Sequence, residues 1–588
     1  MSKPFKRPIR LRQAAFVSCI LAIIWLIIQV YWSMTAIPTL LTDPFLQLPG
    51  ANSVNVVWFT EFAGVKHTVS YGRELAQTEI ATTTQLSRTR EDARSRVGTQ
   101  VADGQIYPQT RSRPIWRHEA TISRLLPNLR VPYRVTSVTV DGAHITSKTF
   151  SLTANPTTGK PLKILLTSDH QLMPMVTANL QKVAETLGRV DAVFMAGDLT
   201  NIADRASEWF DDRRGGAFFP ALQGRGSYKL KQSGIETLYK GGELIQHAPI
   251  FPAIGNHEVM GRFDGDQSLN YQFEDAIPRE HAVKLPPSFA NARSSWLKDN
   301  SFNTDTYEEI FSLPQTSPGG KQYYAVSFGD IRLIVLHVTN IWRTPSLDAD
   351  ARGKYRERQT DFDRPANWGY GQHIFVPIAK GSLQYNWLER ELHSPEFQQA
   401  KYKVVMFHHP PHSLGENVVP AYTDPIQKIQ QRNPGAITSI EYTYPRQDDF
   451  LIRDVVPLLT AAKVQLVYYG HTHIWNRFVN SAGMHFLESS NVGNSYGAYV
   501  GDKRRNVPTG DLKNYAATDN PNGLTPIVPS IAPLTDDLGN PQPYLASNDI
   551  TAFSILDTKT GTVSSYRFDT RTPLTGAIKF DEFVLKRE

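Results

Sequence analysis

Lys163–Asp169 reads KILLTSD, Met175–Arg189 reads MVTANLQKVAETLGR, and Asp191–Asp198 reads DAVFMAGD. Two short apolar runs flank a segment whose apolar residues recur at helical spacing. Strand, helix and strand within some thirty-six residues make a βαβ unit, the connection that parallel strands require. Both strands run out into an aspartate, and α/β sheets bind their ligands just beyond the carboxyl ends of their strands.

The same pattern continues downstream. Apolar strands are expected up to Gly255 (APIFPAIG), Val338 (IRLIVLHV), Phe407 (YKVVMF) and Gly470 (VQLVYYG), with a helix over Ser382–Leu392. Polar clusters follow these strands: Asp169-His170-Gln171, Gly197 to Asn201, Gly255-Asn256-His257-Glu258, His408-His409-Pro410 and Gly470-His471-Thr472-His473. Any single cluster could be a turn. Five in succession, each rich in carboxylate, amide or imidazole, point to one metal site, since imidazole and carboxylate suit zinc, manganese or iron. Long Pro/Asn/Gly-rich segments over 264–320, 340–380, 413–449 and 502–548 are expected to be functional lids or disordered. A closing hairpin is expected over Ile550–Thr570.

Ahead of this region, 49–156 reads as a small all-β sandwich. Ser53–Phe59, His67–Gly72, Tyr133–Val140 and Ile145–Thr153 are rich in β-branched and aromatic residues, and Asp141-Gly142 signals a hairpin. LLPNLRVPYRV resembles the fibronectin type III pattern, in which a tyrosine, here Tyr133, folds back on the preceding corner. Thr82–Pro114 reads as a long loop, and His67, His118 and His144 as solvated or structural.

Taken in order, TSD, GDLTN, GNHE, HHPP and GHTH resemble the calcineurin-like metallophosphoesterases. The sandwich, YYAVSFGDIRLIVL (Tyr323–Leu336) and QYNWLEREL (Gln384–Leu392) bring the chain closest to the purple acid phosphatase branch. The resemblance implies a four-layer, two-sheet α/β sandwich over 161–588, and two divalent ions (manganese, zinc or iron). It makes Asp198 the bridging ligand, Asp169 and His473 ligands of the first ion, and Asn256, His408 and His471 ligands of the second. A metal-bound hydroxide would attack phosphorus while His257 protonates the leaving oxygen and Glu258 orients that imidazole. His409 and His412 lie near enough to touch substrate or serve a structural role. His337 is expected to pack or face the pocket wall, and His170 to point away. Two positions depart from the family. Gln171 stands where many members have a histidine, and Asn201 where the purple enzymes have a tyrosine; each is a possible amide ligand or a bystander.

The 588 residues carry a formal charge of +6, but five of the positive charges are Lys3, Lys6, Arg7, Arg10 and Arg12, and no acidic residue precedes Asp43. The near-neutral remainder lacks the basic balance of a nucleic-acid binder. The basic tail (1–13) is followed by a charge-free run over 14–34, long enough to span a bilayer and read as a retained signal anchor with the tail in the cytoplasm. The body is therefore expected on the extracytoplasmic side, periplasmic or extracellular. Cys19, the sole cysteine, lies in that run, which excludes disulfides and thiol catalysis from the body. The expected activity is hydrolysis of phosphate monoesters on small molecules. A phosphodiesterase or nucleotide hydrolase, and a non-catalytic protein binding phosphate ligands, are the alternatives.

Overall fold

The computed structural model describes residues 39–97, 109–284, 294–433, 435–511 and 513–586. Two mixed sheets form its centre. In the first, the strand order is Ile250–Pro252, Ala192–Met195, Lys163–Thr167, Ile550–Asp557, Thr562–Asp569 and Ile578–Val584. The first three are parallel, the helix Val176–Leu187 joining Lys163–Thr167 to Ala192–Met195, and the last three form an antiparallel meander. The hairpin expected at the chain's end is thus present, but it lies at the middle of the sheet, against Lys163–Thr167. The second sheet runs Tyr324–Phe328, Ile331–Val335, Tyr402–Met406, Leu466–Tyr469, His485–Ser489, Trp475–Val479 and Tyr544–Leu545. Its strands Ile331–Val335, Tyr402–Met406, Leu466–Tyr469 and His485–Ser489 are parallel.

The two-residue period of a strand sorts the side chains of the second sheet. Leu333, Val335, Val404, Met406, Leu466 and Tyr468 join a core shared with the first sheet. Ile334, Val405, Val467 and Tyr469 face the other way, onto Trp387, Leu388 and Leu392 of the helix Leu383–Leu392. Helix Val176–Leu187 covers the first sheet, and its Asn179 Nδ2 donates to Thr551 Oγ1 and Ala552 O at 2.7 and 2.8 Å. The result is helix, sheet, sheet, helix. Each fully buried large apolar side chain contributes about 1.5–3 kcal/mol, so these two cores hold the layers face to face.

In the N-terminal region, Phe45–Gly50, Ser53–Thr60, Trp116–Ile122 and Thr82–Gln85 make one sheet. The other contains His144–Thr146, Val131–Val138, Lys66–Tyr71 and Gln77–Ile80, with Phe150–Leu152 on Val131–Val138. They enclose Val54, Val56, Trp58, Val69, Tyr133 and Val135. Three expectations are corrected here. The first strand begins at Phe45, before position 49. Thr82–Gln85 is a strand on Trp116–Ile122, not part of a long loop, because three consecutive threonines supply β-branched residues at an edge. Tyr133 does not fold back on its own corner: its hydroxyl donates to Gln246 O at 2.7 Å, reaching from the sandwich to the segment before Ile250–Pro252. His67 and His118 are buried and stacked 3.6 Å apart, while His144 is exposed.

The stretch around Asp92 is bound to residues 204–208 of the α/β unit. Arg205 pairs with Asp92 at 2.9 Å and Glu208 at 2.7 Å, all three nearly inaccessible, and Glu208 Oε2 accepts from the backbone N–H of Asn201 and Ile202 at 2.7 and 2.8 Å. Buried ion pairs of this kind fix geometry more than they add net stability; here they hold the loop that follows Asp198. The long insertions are not independent loops. Ile277, Tyr355, Tyr370, Val419, Tyr442 and Tyr515, drawn from all four, share one apolar cluster. The tail 1–13 and the apolar run 14–34 lie outside the described residues, and among the described residues no helix is long and apolar enough to cross a membrane.

Candidate metal centre

The parallel strands of both sheets end on one side, and the five polar clusters meet there. Their backbone is held in an uncommon conformation. Asp169 (φ 57°), Gln171 (42°), Asp198 (54°), His471 (82°) and His473 (58°) all lie in the left-handed region, where a residue with a Cβ costs about 1–3 kcal/mol. Local hydrogen bonds sustain the strain. His471 N–H donates to both Asp169 carboxylate oxygens at 3.1 and 3.0 Å. Glu258 accepts from Asp198, Leu199 and Gly255 N–H at 2.8, 2.7 and 2.7 Å. The glycines preceding the ligand-type residues follow from crowding: a Cβ at Gly255 would overlap Asp198 Oδ1, and one at Gly470 would overlap Asp169 Oδ2.

At the centre, His408 Nδ1–H donates to Ala196 O at 2.8 Å, which directs Nε2 inward. That nitrogen lies 3.1 Å from Asp198 Oδ2, 3.2 Å from Asn256 Oδ1 and 3.1 Å from His471 Nδ1. One N–H cannot serve three acceptors, so a cation fits this group better than hydrogen bonding does. His473 Nε2 is 3.3 Å from Asp169 Oδ1, its Nδ1–H being donated to Asn494 O at 2.8 Å. Ligand atoms of Asp169, Asp198 and His408, and those of His408, His409 and His471, lie within 4.8 Å of one another. Gln171 Nε2 donates to Asp198 Oδ2 at 3.0 Å, while its Oε1 is buried without a hydrogen-bond partner. The donor set fits metal ions.

The electrostatics agree. Burial opposes ionisation of Asp198, but His408 and His257 outweigh it and hold the carboxyl below its usual range. Burial likewise disfavours charge on His408, yet the Asp198 carboxylate raises its pKa to about 9. A proton there occupies the place of a cation. Burial and the neighbouring His409 and His408 keep His471 well below the usual imidazole range, as a neutral ligand requires.

His257 stands beside this group. Its N–H donates to Asp198 Oδ1 at 3.0 Å, Nδ1–H donates to Asn201 O at 2.6 Å, and its ring stacks on Phe273 with centroids 4.8 Å apart. The second ring nitrogen, Nε2, remains to carry a proton. Gln171, Asp198, Asn201, His257, His471 and His473 line a cavity of about 200 Å³.

Several expectations change. Glu258 does not orient the His257 imidazole. Its carboxylate, fully buried and pushed up to about 8 by burial and by Asp198, ties together the loops carrying Asp198 and Asn256. The group on the imidazole is the Asn201 carbonyl, so Asn201 acts there through its backbone. His409 and His412 do not line the cavity. His409 stacks on His471 at 3.7 Å and its Nε2–H reaches Asn340 Oδ1 at 2.7 Å; His412 packs on Phe486. His337 is packed, and His170 turns back to Thr167 Oγ1 at 2.9 Å. Sequence reasoning missed Glu488, a buried carboxylate that accepts from Thr472 N–H and Oγ1–H, each at 2.8 Å, and so holds the His471–His473 turn. A carboxylate ending an apolar strand, HFLES, was its signal.

Carboxylates, imidazoles and an amide gathered at the strand ends of two facing sheets, with a further imidazole beside them, define a metal-dependent phosphoric ester hydrolase. The chain belongs to the calcineurin-like phosphoesterase family, whose model matches residues 162–475, more than half its length. Among solved structures, a purple acid phosphatase, PPD1, from yellow lupin (Lupinus luteus) seeds is 15% identical at a TM-score of 0.50, over 92% of this chain and 73% of that one. A PhoD structure is 13% identical at a TM-score of 0.42, over 93% and 92%. The lupin match is a likeness of fold. No curated protein matches the chain.

Proposed function

We propose that this chain is an exported, membrane-anchored binuclear phosphoesterase that hydrolyses phosphate monoesters of small molecules. The observation that carries the reading is the convergence of Asp198 Oδ2, Asn256 Oδ1 and His471 Nδ1 on His408 Nε2. Asp198 would bridge two ions, with Asp169 and His473 on the first and Asn256, His408 and His471 on the second. Bound there, divalent ions would supply Lewis acidity to the phosphoryl oxygens and a nucleophile from water at neutral pH. Asn201 O orients His257, and His257 Nε2 delivers a proton to the departing oxygen.

Asn201 offers no phenolate, and Gln171 offers only a neutral amide. A pair of divalent ions is therefore favoured over a ferric–divalent pair. Tyr468 is no substitute: its hydroxyl points to Ser489 O at 3.4 Å, and burial pushes its ionisation far above the usual range. Metal analysis of the purified protein should find two equivalents in a colourless preparation. Chelation should abolish phosphate release, and manganese, zinc or ferrous iron alone should restore it. A purple, iron-dependent preparation would overturn the divalent assignment, and phosphate release indifferent to chelation would overturn the whole reading.

Export and anchoring rest on sequence, namely the five basic residues ahead of the charge-free run 14–34. Protease added to intact cells, once any outer barrier is opened, should degrade the body while the basic tail stays protected. A body protected on the cytoplasmic side would exclude this topology.

A further inference from the structure

The cavity has walls that the proposed phosphoryl chemistry does not use. Beyond the donor set it is lined by three aromatic rings, Phe273, Trp342 and Tyr496, and by the amides of Asn270, Asn417 and Asn494. Phe273 and Asn270 come from the insertion over 264–320, Trp342 from 340–380 and Asn417 from 413–449; Asn494 and Tyr496 follow the strand His485–Ser489. Phe273 stacks on His257, and Tyr496 stacks on His473 with centroids 5.7 Å apart at 25°. The rings therefore flank the donor set on both sides, one beside the proton donor and the other beside the Asp169–His473 pair. Trp342 and Tyr496 stay 37% and 50% exposed.

The charge of these walls is as informative as their shape. Among the described residues, no lysine or arginine lines the cavity, whereas Glu274 does. Two guanidiniums reach the wall without lining it: Arg205 donates to Asn270 Oδ1 at 2.7 Å with its charge paired to Asp92 and Glu208, and the buried Arg343 donates to the carbonyls of Glu274, Ala276 and Gly369. Lys503 is bonded to the Tyr496 carbonyl and does not line the cavity. Two metal ions would neutralise one phosphoryl group. A second anionic group on the substrate would meet Glu274 with no lysine or arginine side chain in the lining to receive it.

We propose that Phe273, Trp342 and Tyr496 form a leaving-group subsite for a flat, uncharged ring, with the three asparagine amides bonding to its polar edges. The inference rests on the phosphoesterase reading and adds the substrate class: monoesters of aromatic or heteroaromatic alcohols, as opposed to aliphatic or polyanionic ones. Water adds to phosphorus, the ester P–O bond breaks, and the alcohol leaves with the proton from His257, its ring held against the aromatic walls. An aromatic pair adds a few-fold to about tenfold in binding beyond its buried area, so preferences of roughly tenfold are expected.

The test compares esters of primary alcohols of similar size. Because benzyl alcohol is the slightly better leaving group, the change in ratio between wild type and variants and the binding ratio of the phosphonates decide the matter. With metal-loaded protein, kcat/KM for benzyl phosphate should exceed that for cyclohexylmethyl phosphate roughly tenfold, and should also exceed that for the benzyl ester bearing a para-carboxylate. Trp342→Ala and Tyr496→Ala should each lower the benzyl-to-cyclohexylmethyl ratio severalfold; a general folding defect would lower both rates and leave the ratio alone. Calorimetric titration with benzylphosphonate and cyclohexylmethylphosphonate provides a readout without turnover, and its affinity ratio should fall in the same variants. Ratios near one in the wild type, or ratios unmoved by both substitutions, would overturn the subsite while leaving the phosphoesterase reading intact. Hydrolysis of none of the esters would overturn both.

Discussion

Asp198→Ala is expected to strip metal from the protein and lower kcat/KM by roughly a thousandfold or more. Metal ions contribute several kcal/mol of charge stabilisation to such transition states, and each 1.4 kcal/mol is a factor of ten. The carboxylate has three further attachments that alanine would also lose: His408 Nε2 at 3.1 Å, the His257 N–H at 3.0 Å and Gln171 Nε2 at 3.0 Å. Because a loosened loop could mimic lost ligation, Asp198→Asn is the better-matched companion; it retains the shape and removes the charge that holds His408 protonated in the absence of metal. His408→Ala should lose metal and activity together, since its inward nitrogen is the meeting point of the donors. Elemental analysis beside phosphate release, on variants whose circular dichroism matches the parent, decides the matter. Full metal content in Asp198→Asn with near-normal turnover would remove Asp198 from the bridging role.

His257→Ala should behave differently: turnover falls roughly 10²–10⁴-fold, the range for loss of a general acid, while metal content holds. The reason is geometric. Nδ1 is occupied by Asn201 O, and the ring lies on Phe273, away from the meeting point of the donors at His408 Nε2. The deficit should shrink as the leaving alcohol becomes more acidic, because a good leaving group needs little protonation. A variant that loses metal, or a deficit equal for phenyl and alkyl phosphates, would show that His257 serves the site in another way. Asn201 enters this test only through its carbonyl, so Asn201→Ala should leave the His257 contribution largely intact.

The donor residues could be read from the chain because each follows a short apolar run, and a strand's polar exit is a local feature. Gly255 and Gly470 were legible in the same way, as turns, though their cause is a carboxylate pressed against each Cα. The role of Glu258 was not. Its sequence neighbour is His257, and adjacency suggested a partnership, yet the turn over Asn256–Glu258 sends the carboxylate back to the N–H groups of Asp198 and Leu199, some sixty residues upstream. Tyr133 misled in the same manner. A tyrosine at a strand start has a familiar use within a sandwich, but here its hydroxyl meets Gln246 O, 113 residues away.

By itself, the amino-acid sequence determined the alternation of strands and helices, the parallel order at the centre, and which side chains stand at the strand ends. These follow from periods of 2 and 3.6 residues and from turn chemistry, which act over a few positions. Only the tertiary structure decided that the final hairpin enters the middle of the first sheet, that four insertions share one apolar cluster, and that Phe273, Trp342 and Tyr496 line the same cavity as the donor set. Each of those depends on contacts between segments far apart in the chain. No local periodicity encodes such contacts, because they are selected by how whole layers pack once the cores have formed.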